Sequence, residues 1–109
     1  MLHSKPAIVF ADLVLSRGQE TRVAFRLHDK AGATVDLSLS TPHITVTDQH
    51  KTALIEADGV ADGDMVTFFL TCPDVVPEVG EFVATIDPNL FNQPRVAQGM
   101  VRFDGTATA

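Results

Sequence analysis

The sequence predicts an all-β sandwich in one domain covering residues 1–109. Three observations predict it. Apolar and polar residues alternate in short runs, the two-residue period of a strand with one covered face. Turn-forming residues separate those runs at intervals of about ten residues. No segment longer than a turn repeats its apolar residues with the 3.6-residue period of a helix.

The elements follow in chain order. Pro6–Leu15 is apolar nearly throughout, interrupted by Asp12, and reads as a first strand that is largely covered. Gly18-Gln19 breaks it. Glu20–His28 is the clearest half-buried strand, with Val23, Phe25 and Leu27 on one face and Arg22, Ala24, Arg26 and His28 on the other. Asp29–Gly32 is a turn in which Gly32 is free to take a positive φ. Thr34–Leu39 alternates Val35, Leu37 and Leu39. Thr41-Pro42 then interrupts, since proline has no ladder donor and is awkward in a central strand. His43–Asp48 carries Ile44 and Val46 on one face, Gln49–Lys51 is a hairpin tip, and Thr52–Ala57 returns.

Asp58-Gly59 and Asp62-Gly63 are both turn signals. Asp64–Thr71 has apolar residues on both faces, as expected of a strand covered on both sides or one contributing to an interface. Cys72–Gly80, with two prolines, crosses between sheets, and Glu81–Asp87 alternates Phe82, Ala84 and Ile86. Asp87–Pro94 is a loop, Arg95–Asp104 points Val101 and Phe103 inward, and Gly105–Ala109 is a small-residue tail. The sum is an immunoglobulin-like antiparallel β-sandwich of about seven or eight short strands.

Composition narrows the function. The net charge of −6, with eight basic residues scattered along the chain, argues against nucleic acid and against anionic membranes as partners. A single cysteine, Cys72, excludes an internal disulfide and favours folding in a reducing cytoplasm. The N-terminal run has no small-residue cleavage pattern, and nothing approaches the roughly 20 apolar residues of a membrane-spanning helix.

The chemistry-bearing residues form no recognisable motif. His3, His28, His43 and His50 lack metal-ligand spacing. Asp58, Asp62 and Asp64 offer the oxygen ligands calcium takes, but without the spacing or terminal glutamate of an EF-hand loop, so they read as two consecutive turns. Cys72 has no base nearby in sequence to make it a thiolate. No nucleophile elbow or phosphate-cradling glycine loop is present. The sequence therefore predicts a domain that binds without catalysing, and no catalytic residue, metal or cofactor is assigned. The candidate contact residues are the apolar members of two loops: Val75, Val76 and Val79 in one, Leu90 and Phe91 in the other. The simpler reading of the same residues is that Val75, Val76 and Val79 plug the end of the core and Leu90-Phe91 folds back over it.

The segment Arg22-Val-Ala-Phe-Arg-Leu-His-Asp29, then Lys30-Ala-Gly32 and Val35-Asp-Leu37, resembles the opening strands of bacteriophage virion immunoglobulin-like domains, such as the N-terminal domains of baseplate upper proteins. Met65–Thr71 followed by Val79-Gly80-Glu-Phe82-Val-Ala-Thr-Ile86 resembles their closing strands. The resemblance spans about residues 16–104, with Phe82 where a corner tyrosine is usual. It implies a structural protein of the virion, folded in the host cytoplasm, that binds other virion proteins. A capsid decoration or cement protein on the major capsid protein is the first expectation, and a small tail or baseplate adaptor is the alternative. Homo-oligomerisation stays open. A rival from another class, a soluble carbohydrate- or ligand-binding module, lacks the Trp and Tyr such sites commonly use.

Overall fold

A computed structural model describes residues 8–28, 32, 37, 40–87 and 95–105. Among them the chain is all β, in two facing sheets. The strands are β1 (Val9–Phe10), β2 (Leu13–Ser16), β3 (Glu20–Arg26), β4 (Thr41–Thr47), β5 (Ala53–Asp58), β6 (Val60–Asp62), β7 (Met65–Thr71), β8 (Val79–Asp87) and β9 (Arg95–Asp104). The larger sheet runs β1-β9-β8-β4-β5, with β2 also on β9, and the smaller runs β3-β7-β6. This is a β-sandwich whose chain crosses repeatedly between its two sheets.

Alternation places the core. Val23 and Phe25 are buried from β3 and Leu27 just after it, Val66, Phe68 and Leu70 from β7, Ile44 and Val46 from β4, and Phe82, Ala84 and Ile86 from β8. Three rings join the layers. Phe25 stacks on Phe82 with centroids 5.7 Å apart and meets Phe68 edge-on at 6.5 Å. Phe82 thus packs between the layers through its stack on Phe25.

Several expectations need correction. The sandwich is not wholly antiparallel, because β1 and β2 run parallel to β9. Described strands number nine, for two local reasons. The first strand is split at Ala11-Asp12, although its register continues: Val9 faces Ala97, and four residues on Leu13 faces Val101. The split sits where the Ala11 carbonyl leans over Gly99, in space a side chain there would fill. Second, Asp58-Gly59 makes no hairpin turn. The chain passes from β5 in one sheet to β6 in the other, and Gly59 is pressed against Phe68 and the Thr67 carbonyl.

Pro42 is likewise inside β4, between β5 and β8. Its carbonyl accepts from Gly59 N–H at 2.8 Å, which places its missing donor on the side where β5 has already ended. No ladder bond to β8 is lost. The first strand is covered on one face only, since Phe10 and Val14 are exposed. On β7 the outward face is open too, with Phe69 exposed.

The remaining turns agree with expectation. Asp48 accepts from His50 N–H and Thr52 N–H at the β4–β5 tip, and Gly32 and Gly63 take positive φ. Cys72–Glu78 carries the chain from the small sheet to the large one. Thr34–Leu39 lies outside the described residues apart from the buried Leu37, as do the loop 88–94 and the tail beyond Gly105.

Candidate protein-binding face

The outer face of the large sheet gathers apolar side chains in a regular array. From Ala97 onward the odd positions of β9, and in β8 the even positions, turn to the core, so their alternates turn outward. Three rows result. Phe10, Gln98 and Val83 form one, since Phe10 and Val83 both face Gln98. Asp12, Met100 and Glu81 form the next, with Glu81 opposite Met100. Val14, Arg102 and Val79 form the third, both valines facing Arg102.

Apolar residues therefore occupy the four corners and the centre, and polar residues the positions between. Diagonal neighbours on a sheet lie about 7–8 Å apart, within reach of one another's side chains. Phe10 is 71% exposed, Val14 50% and Met100 49%. Two shallow, open depressions of about 300 and 260 Å³ meet at Met100.

The polar positions are held by neighbours. Lys51 from the β4–β5 tip pairs with Glu81, Arg95 donates to Gln98 Oε1 at 2.7 Å, and Arg102 Nε lies 3.3 Å from Asp104. These contacts give the charged groups beside Met100 partners of their own. The arrangement suits a protein surface in which apolar and polar positions alternate.

The predicted contact residues are not brought together. Val79 joins the array. Val75 stands 85% exposed on the crossing segment, while Val76 packs against the core. Leu90 and Phe91 lie outside the described residues. The crossing segment is held by Arg17, whose guanidinium donates to the carbonyls of Val76 at 3.2 Å, Pro77 at 3.1 Å and Gly105.

No known protein family and no curated protein matches this chain.

The polar candidates disperse. Asp58 bonds His43 Nδ1 at 2.8 Å, whereas Asp64 pairs with Arg26 at 3.8 Å, so the carboxylates of the acidic segment diverge. Among the described residues no three His, Cys, Asp or Glu side chains converge as a metal site would need. His50 belongs to its turn and His3 lies outside the described residues. Cys72 is buried, its Sγ donating to the Pro73 carbonyl at 3.4 Å. Burial pushes its pKa up, against the lowering pull of Arg17.

Sequence reasoning does not single out Phe10, Val14, Val83 and Met100, which strand pairing brings into the array. A signal for the first two was present in the sequence, because Pro6–Leu15 is apolar on both faces. Whether its second face is covered depends on which strand it pairs with.

Proposed function

We propose that this chain works by attachment, as a structural protein of a bacteriophage particle that docks on the capsid lattice through the outer face of its large sheet. The observation that carries the binding reading is the exposed array centred on Met100, with Phe10, Val14, Val79 and Val83 at its corners. Isolated exposed apolar residues are ordinary on protein surfaces, whereas several on one sheet face, here diagonal neighbours, favour a contact site. The virion setting is supported by the resemblance of Arg22–Leu37 and Met65–Ile86 to phage immunoglobulin-like domains. Repetition on a lattice multiplies a modest interface of this kind, so a small domain suffices.

Quantitative mass spectrometry of purified particles, measured against the major capsid protein, tests the reading. Copies in the hundreds are expected. A handful of copies transfers the assignment to the tail or baseplate, and complete absence rejects the virion role. Separately, the F10S/M100S variant is expected to lose binding to capsids that lack the protein, while V75S retains it.

A further inference from the structure

Strand β3 is the edge of the small sheet and pairs with β7 alone among the described residues. Its ladder is unbroken over seven residues, from Glu20 opposite Thr71 to Arg26 opposite Met65. It contains no proline, no lysine and no bulge; its charges, Glu20, Arg22 and Arg26, are of both signs and so can pair across an edge as well as blunt one. Because β1 and β2 pair with β9, they do not cover it.

The direction of its free backbone groups follows from the flanking bonds. Cys72 N–H donates to Gln19 O at 3.0 Å, and Leu27 N–H donates to Asp64 O at 2.8 Å. Gln19 and Leu27 extend the same register at either end, and in an antiparallel ladder alternate residues bond to the same side. Thr21, Val23 and Phe25 therefore turn their N–H and C=O groups to β7. Glu20, Arg22, Ala24 and Arg26 turn theirs to the side on which no described strand pairs.

We infer that a second copy of this chain pairs with that edge, antiparallel, about a two-fold axis at Val23. Three registers close to the strand centre let the outward-turned groups bond. Centring on Arg22 sets Arg22 against Arg22 of the second copy, and centring on Ala24 sets Arg22 against Arg26. Centring on Val23 sets Glu20 of each copy opposite Arg26 of the other, twice, and Arg22 opposite Ala24. Only the last avoids like charges and gains opposite ones, so cross-strand charge selects it. The core-facing Thr21, Val23 and Phe25 then meet across the axis, and the two three-stranded sheets become one. This self-association is independent of the array on the large sheet.

Sedimentation equilibrium of the full chain, from about 1 to about 500 µM where weak interfaces report themselves, is the test. A species of twice 11.7 kDa is expected. A24P removes a donor that faces away from β7 and no bond to β7, so it is expected to stay folded by circular dichroism and to be monomeric. E20R alone and R26E alone each place like charges opposite one another at both ends, and each is expected to weaken the dimer about tenfold. An equimolar mixture of E20R with R26E restores opposite charges at both ends and is expected to recover the dimer. A wild-type chain that stays at 11.7 kDa throughout overturns the inference. So does a dimer indifferent to A24P, or a mixture no tighter than its components.

Discussion

Gly99 shows how one residue sets the path of the N-terminal strand. A Cβ at that position would lie 1.6 Å from the Ala11 carbonyl oxygen and 3.1 Å from the Phe82 ring. Both obstacles are fixed, one by the β1–β9 pairing and the other by its stack on Phe25. G99A is therefore expected to destabilise the chain by about 3 kcal/mol, the upper range for overpacking. Denaturant melts read this directly, and a change below about 0.5 kcal/mol would show that the strand shifts freely. Cys72 supplies a second test. Its folded pKa is raised, so its contribution to stability is fully present below the ordinary thiol value of 9.0 and is lost as pH rises through the folded pKa. Stability is expected to decline above about pH 9, less so in C72A. The chain has no tyrosine, so thiolate absorbance near this pH is free of phenolate. Native Cys72 should resist thiol reagents at neutral pH and react once unfolded.

At the scale of elements, the ends of the sandwich are tied by side chains. Arg17 follows β2 and reaches three carbonyls on two other segments, those of Val76, Pro77 and Gly105. Its own N–H donates to Asp104 O at 3.0 Å, continuing the β2–β9 pairing. A guanidinium can fork among several acceptors, which a lysine ammonium on the same stem matches poorly. R17A is expected to cost about 1–2 kcal/mol and to speed hydrogen exchange over residues 74–79 more than elsewhere. R17K should recover less than half of the loss. Uniform exchange across the chain would show that the tie is global instead. Pro42 illustrates the converse limit: a proline is tolerated between two strands when its missing donor faces a place the neighbour has vacated.

At the scale of the whole molecule, folding and binding use different faces of the same strands. The inner faces of β8 and β9 supply Phe82, Ala84, Val101 and Phe103 to the core, while their outer faces supply Val83, Val79 and Met100 to the array. Phe10 and Met100 are largely exposed, so replacing them by serine removes little buried area. F10S/M100S is accordingly expected to melt within about 3 °C of the wild type even as it loses attachment. A large fall in melting temperature would mean that these residues support the fold, and the loss of attachment would then say nothing about contact.

Period-two alternation alone determined that the chain is a β-sandwich. It also determined which residues of most strands face inward, because burying Val23 with Phe25, Ile44 with Val46 and Phe82 with Ala84 requires nothing beyond strand geometry. The turns at Asp48–Lys51 and Asp62-Gly63 were legible for the same local reason. Partners across the sheets were not. That β1 and β2 lie parallel to β9, and that Gly59 switches sheets, depend on contacts between segments far apart in sequence. The candidate face belongs to that second class. Phe10, Met100 and Val79 are separated by up to ninety residues in the chain, and only the tertiary pairing of β1, β2, β9 and β8 sets them side by side.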